Sequence, residues 1–308
     1  MGISVNTNVA ATRAGMYLAT NHANLQKSLD RLSSGRRITQ PADDAGGLAV
    51  AMKMKHSIQG LSGASKNIGN AISFLQVQDG ILSSAGDIVS RMGELKGLYG
   101  DVLKSTSDKA TYDAEFQDLQ GQLFQLAGTQ FNGNNLFSQT AAKVFNTAAD
   151  EATESLTIYT SENGSTGSSV AIHQSLLLSA LSFTSAAGTT EEAWGGSATN
   201  NLAFDASAAA STDTLVDTSF TADLFTKAVA NIATLRAKNG GQVKRLQYAQ
   251  ADVESKITNM TAAHGRIMDV DIAAESSNLA KQQILVQAAA AMTAQANTAN
   301  DVALLLLR

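Results

Sequence analysis

Leu61, Ile68, Leu75, Leu82 and Val89 stand seven residues apart, and Ala64, Ala71, Gln78, Ala85 and Met92 follow each of them by three. This a/d heptad pattern is sustained for more than four repeats, the mark of a helix that buries one seam against other helices. At about 1.5 Å per residue such a helix is roughly 50 Å long. A seam of that length must be covered along all of it. Far downstream, Phe225, Ile232, Asn239, Leu246, Val253, Met260 and Ile267 also repeat every seven. The economical solution packs the N-terminal helices against the C-terminal one. The chain then runs out, turns through its middle and returns. The expected fold class is mainly α: an elongated rod of long coiled-coil-like helices from both chain ends, with both termini at one end and a small β-hairpin/loop insert in the middle. Pro41 is the only proline in 308 residues, so little opposes long helices.

Finer signals divide these helical regions. Asn239 is the one polar residue of the second seam. It is either a register-fixing residue or, with Gly240 and Gly241, a weak point. Tyr112, Phe116, Leu119, Leu123 and Leu126 mark a shorter helix that ends near Gly128, a plausible C-cap. Ala11, Leu18, Leu25 and Leu32 repeat every seven, with Ala14, His22 and Leu29 alongside, until "SSG" at 33–35 interrupts. "PADDAGG" then reads as a helix start, with Pro41 near the first turn and Asp43 and Asp44 favoured there by the helix dipole. Near the other end, "QQILVQAAAAMTAQAN" (282–297) contains nothing that breaks a helix and is apolar on nearly every face. Such a helix must be buried.

The middle is chemically different. Residues 141–224 hold ten Asp and Glu against one basic residue, Lys143, a net of −9 in a chain whose total is −5. "SLTIYTSENGSTGSSVAIHQ" (155–174) gives two short β-rich runs joined by Asn163-Gly164, a hairpin signal. Fourteen of the forty residues from Ser182 to Thr221 are Ser or Thr, which predicts an exposed, loosely structured segment.

Catalytic constellations are weak. The absence of cysteine excludes disulfides, Cys-ligated zinc and thiol catalysis. His22, His56, His173 and His264 have no close metal spacing, and His22 is expected simply to pack. Asp269-Val270-Asp271 reads as a helix start before "IAAES", not as a catalytic pair. "NGGQVKR" lacks the GK[ST] of a phosphate loop. "NGS" at 163–165 fits a glycosylation acceptor and equally a turn. No basic stripe with interleaved aromatics marks a nucleic-acid surface, and no run of 18 apolar residues spans a membrane. The start of the chain is not read as a secretory signal. Much packing surface and little chemistry favour a structural or interaction protein without cofactor or metal over an enzyme. An enzyme housed in 141–224 is the contrary reading, for a region with one His and no recognisable site.

At the two ends the residues become recognisable. "NTNVAATRAGMYLATNHANLQKSLDRLSSGRRITQPADDAGGLAVA" (6–51) resembles the N-terminal segment of bacterial flagellins. "TQFNGNNLFS" (129–138) is similar to the family's next landmark, and "AAHGRIMDVDIAAESSNLAKQQILVQAAAAMTAQAN" (262–297) to its C-terminal segment. The resemblance covers about 1–140 and 225–308. Thr39 stands where the family usually carries Asn, Gly46 where it carries Ala, and Arg308 is an added charge at the end.

The resemblance implies a subunit that polymerises with itself into the extracellular flagellar filament for swimming motility. It implies export as an unfolded chain through the flagellar type III channel and folding at the filament tip beneath a cap protein. The partners implied are copies of itself, the cap, the junction protein and an export chaperone. Residues 1–43 with 268–308 are expected to form the inner filament tube, 44–140 with 225–267 the helical rod, and 141–224 a solvent-facing insert that could bear O-linked glycans. Leu18, Leu25, Leu29, Leu32, Ile284, Leu285, Val286 and Met292 are the expected subunit interface. The alternative is a hook–filament junction protein, which shares flagellin-like ends; the short insert and full C-terminal motif favour the filament. The resemblance also implies recognition by Toll-like receptor 5 through "VSRMGELKGL" (89–98), with Arg91, Glu94 and Leu95 matching the family pattern. Gly93 and Lys96 replace a usual Arg and Ala, and Gln122 stands where the neighbouring helix often has Glu, so weakened recognition is expected.

Overall fold

A computed structural model describes residues 8–138, 145, 155–183, 200–202, 215 and 220–306. Most of the 141–224 insert, and with it most of the Ser/Thr-rich stretch, lies outside the described residues. The chain divides into two compact units, Met1–Ile58 with Thr258–Arg308 and Gln59–Ile257.

Among the described residues five long helices dominate: α1 (Val9–Ser34), α2 (Ala45–Tyr99), α3 (Thr106–Ala127) and, after a single turn α4 (Leu177–Ala180), α5 (Ala222–Met268) and α6 (Ile272–Leu306). Their boundaries have local causes. At the start of α1, Ala11 donates its backbone N–H to the Asn8 side chain, and Gly35 ends the helix in the left-handed conformation at φ 68°. The start of α2 differs from the expectation. Pro41 sits in a turn before the helix, and Asp44 is the cap, its carboxylate accepting from Gly47 N at 2.8 Å. A reciprocal capping box of Ser105 and Asp108 opens α3, and Gly128 closes it. Asp271 caps α6 by accepting from the amides of Ala273 and Ala274, in keeping with its helix-start reading.

In the unit Gln59–Ile257, α2 and α5 run antiparallel. Asn239 meets Leu75, Arg236 meets Asp79, and Gly93 faces Phe225. All ten heptad positions from Leu61 to Met92 are buried, as are Phe225, Ile232, Asn239, Leu246 and Val253 on the facing helix. α5 continues unbroken through Asn239-Gly240-Gly241, and Asn239 donates to the Leu75 carbonyl at 2.8 Å. The register reading of Asn239 is therefore the one the geometry carries. α3 adds Phe116, edge-on to Phe220 and Phe225 at 5.3 and 6.2 Å, and Leu123.

Among the described residues the strands form three small antiparallel pairs. β1 (Gln130–Phe131) and β2 (Asn134–Asn135) make a hairpin whose two-residue turn, Asn132-Gly133, has positive φ at both positions. Phe131 packs edge-on to Phe74 of α2, and Gln78 donates to the Leu136 carbonyl at 2.5 Å. β3 (Ser155–Tyr159) pairs with β4 (Ser169–His173) in register Leu156↔Ile172. The expected hairpin is present, but Asn163-Gly164 is not its two-residue turn. The nine residues 160–168 connect the strands and include a 3-10 turn at Gly164–Thr166. β5 (Ser182–Phe183) pairs with β6 (Asn200–Asn201).

The expectation of exposure for 182–221 is corrected at the residues described there. Phe183, Leu202, Leu215 and Phe220 are all buried. A few large side chains anchor the segment, with Leu215 N bonded to the Asp113 carboxylate and its carbonyl accepting from Lys96. The Ser/Thr count hides these anchors because burial depends on individual large residues more than on mean composition.

Candidate subunit interface

In the unit made of the two chain ends, α1 and α6 lie antiparallel. The Asn8 amide donates to the Ala296 carbonyl at 2.8 Å and the Asn21 amide to that of Leu285 at 3.4 Å. Nearer the turn, Asn278 reaches Ser28, and Arg31 stands 3.8 Å from Glu275. Two helices can cover only one stripe of each other. Along both, the described buried positions are Ser28, Glu275 and Ala289.

The apolar side chains therefore remain outside. Of the expected interface residues, Leu18, Leu25, Leu32 and Val286 are half-buried, while Leu29, Ile284, Leu285 and Met292 are exposed, Ile284 and Met292 at 66%. The structure adds residues that the heptad did not single out: Val9, Met16, Tyr17 and Ile272, all exposed. Met16 and Tyr17 lie off the seven-residue line, so only a search for apolar residues on the opposite face would have found them. Exposed apolar surface of this extent marks an interaction site. His22, expected to pack, is exposed because it too points away from the α1–α6 stripe.

A compact turn, residues 35–44, joins α1 to α2. Arg37 donates its backbone N–H to Met268 O and its guanidinium to Ile267 O, and Val270 N returns a bond to Gly35 O. Ile38 is buried with Ala51 and Met268, flanked by Leu48 and Ile267. Asp43 organises the polar side. Its side chain, only 8% exposed, meets the Lys27 ammonium at 2.6 Å and accepts from the backbone of Thr39 and Gln40 and from the Thr39 hydroxyl. Lys27 foremost, with these donors, holds the carboxyl far below the ordinary carboxylate range.

The stretch expected to meet a receptor lies in the other unit. Arg91 bonds Glu115 of α3 at 2.8 Å and Glu94 at 3.1 Å, which raises its pKa further, and both carboxylates are on the surface. The carboxylate facing Arg91 from the neighbouring helix is Glu115. Leu95 is fully buried, so Arg91 and Glu94 alone of the three present surface. Among the described residues no three metal-ligating side chains gather, and no helix is long and apolar enough to cross a membrane.

A profile of the bacterial flagellin N-terminal helical region matches residues 5–142, and one of the C-terminal helical region matches residues 222–307. This chain belongs to the bacterial flagellin family. It is 35% identical to the flagellin of Bacillus subtilis (strain 168) over 317 residues, covering 99% of both chains. It is 32% identical to the flagellar filament 33 kDa core protein of Treponema phagedenis over 305 residues, again with 99% of each covered. The flagellin of Listeria innocua serovar 6a is 30% identical over 295 residues, 96% of each chain. Flagellins are structural proteins of the extracellular filament of the bacterial flagellum, and this chain is a filament structural subunit. The open apolar faces of α1 and α6 fall within the matched N- and C-terminal regions.

Proposed function

We propose that this flagellin polymerises through the apolar faces of α1 and α6 into the filament that drives swimming, after export as an unfolded chain through the flagellar type III channel. The observation that carries the reading is the exposure of Met16, Tyr17, Leu29, Ile284 and Met292 on the α1–α6 pair. At about 25 cal/mol per Å² of apolar surface, covering these side chains in every copy gives strong association. Contacts that do not close on themselves generate helical filaments. On this reading 1–43 with 268–308 line the inner tube, 44–140 with 225–267 form the rod, and 141–224, held by buried anchors such as Phe183 and Leu215, is the outer insert, whose net charge of −9 opposes bundling. The cap, the junction protein and an export chaperone are the further partners. Receptor recognition through Arg91 and Glu94 is weak on this reading, and a receptor reporter assay showing full potency would refute that part.

The test is seeded polymerisation of the purified chain, read by electron microscopy. The full chain is expected to give long filaments of uniform diameter. Removing Gln282–Arg308 abolishes them, while the helical seam between α2 and α5 stays folded by circular dichroism. Normal filaments from the truncated chain would overturn the proposal.

A further inference from the structure

The chain contains three Asn-Gly steps, Asn132-Gly133, Asn163-Gly164 and Asn239-Gly240, and the fold places each in a different environment. An Asn followed by Gly is open to self-modification. The backbone nitrogen of Gly attacks the Asn Cγ, a C–N bond forms, the Cγ–Nδ2 bond breaks and ammonia leaves, closing a five-membered succinimide. Water then adds to one of the two ring carbonyls and gives aspartate or isoaspartate. The net change is gain of water and loss of ammonia, with no oxidant or enzyme required. The reaction needs a free side-chain amide and a backbone able to bring the two atoms together.

Asn239 meets neither requirement. It is 1% exposed, its amide is donated to Leu75 O at 2.8 Å, and Gly240 lies inside the unbroken α5. Asn132 is exposed, but its backbone is locked. It and Gly133 hold φ 50° and 79° in a two-residue turn between paired strands, with Phe131 packed on Phe74 and Leu136 N bonded to Thr129 O. Asn163 meets both. It is exposed in the nine-residue connection between β3 and β4, and its side chain makes no capping bond to the 3-10 turn that follows it. The Gly164 amide is held only by a 3.5 Å contact to Ser161 O. With no Cβ at Gly164, the attacking nitrogen is also sterically open.

We infer that Asn163 is a site of spontaneous, water-dependent deamidation, and that the fold protects Asn132 and Asn239. The product carries a new carboxylate next to Glu162. That residue lies against α2 so closely that a Cβ on Gly60 would come within 3.1 Å of the Glu162 Cα. Isoaspartate adds a carbon to the backbone at this docked loop, so modification loosens the loop from α2.

The experiment is peptide mass spectrometry of the full-length folded chain during incubation in mildly alkaline buffer, following the mass increase of about 1 Da that deamidation brings. Asn163 is expected to convert fastest, at least roughly tenfold ahead of Asn132 and Asn239, whose backbones are held. In denaturant the three rates converge, because the sequence step is the same. Asn163→Gln leaves Gly164 in place and abolishes conversion at 163 without altering the other two. Conversion at Asn132 or Asn239 as fast as at Asn163 in the folded chain would overturn the inference. So would an unchanged Asn163, or one whose amide carries a sugar at its N-G-S step.

Discussion

The seam between α2 and α5 and the pair of α1 with α6 are built from the same seven-residue apolar spacing, yet one is closed and the other open. In the seam every heptad position from Leu61 to Met92 is covered. α5, α3, the β1–β2 hairpin and Phe220 supply covering surfaces. In the terminal pair each helix covers one stripe of the other, and Ile284 and Met292 stand 66% exposed. The spacing makes a stripe; the number of partners decides whether the stripe becomes a core or an interface. Small residues sharpen the contrast. The Ala-rich run 288–291 of α6 presents little apolar area per residue, so it needs close approach by more than one neighbour to be covered well.

The largest expected effect sets one region against the other. Leu82→Ala removes a fully buried side chain and should destabilise the monomer by about 2–5 kcal/mol in denaturant unfolding. Met292→Ala should change monomer unfolding by less than about 0.5 kcal/mol and yet raise the concentration needed for polymerisation. Equal monomer costs for the two would erase the distinction between core and interface.

Asp43 comes next, because it holds together the turn between α1 and α2. Its folded-state pKa is depressed, so its contribution is complete above the ordinary carboxylate value and is lost as pH falls through the folded one. Amide exchange at Thr39 and Gln40 should therefore stay slow at neutral pH and quicken in strong acid. Asp43→Asn should remove the protection at neutral pH, at a cost of roughly 1–3 kcal/mol, since charge-assisted bonds from Lys27 and two amides are lost. Protection that ignores pH would show that Asp43 does not hold the turn.

Much of this was legible from residue spacing. The heptads named both faces of the seam, and Asp271, Gly35 and Gly128 marked helix ends. The β-rich runs around Asn163 named a hairpin but not its connection, because an Asn-Gly step fits both a two-residue turn and part of a longer loop. Leu95 and Glu115 show a different limit. Which side chain faces Arg91 from the neighbouring helix is set by how far α3 slides along α2, and no single-chain periodicity encodes that offset. Met16 and Tyr17 were hidden for a related reason: a pattern search finds the stripe one partner covers, not the surface left for others.

A smaller effect tests what Asn239 contributes. Its amide nitrogen is bonded to Leu75, but its buried oxygen has no partner. An open groove of about 600 Å³ lies beside it, with Leu75, Ala233 and Val243 on its apolar side and Asp79, Arg236 and Lys244 on its charged side. Asn239→Leu should therefore stabilise the unit by about 1 kcal/mol, as relief of a buried unsatisfied group does. It should also weaken the penalty on sliding α5 along α2, read as broader side-chain signals near the seam. A loss of stability would show that the single bond to Leu75 outweighs the stranded oxygen.

The smallest effect separates two glycines one turn apart on α2. A Cβ on Gly63 would meet nothing within 4 Å, so Gly63→Ala should add about 0.5–1 kcal/mol through helix propensity alone. At Gly60 the same Cβ would fall 2.9 Å from Glu162 Cβ and 3.1 Å from its Cα. The propensity gain there is offset by displacement of the β3–β4 connection. Gly60→Ala should leave global stability nearly unchanged or lower, with faster amide exchange confined to residues 160–168. If both substitutions stabilise equally and exchange in that loop is unaltered, the loop does not rest on α2 in solution. The covering of the seam would then come from α3, α5 and the β1–β2 hairpin without it.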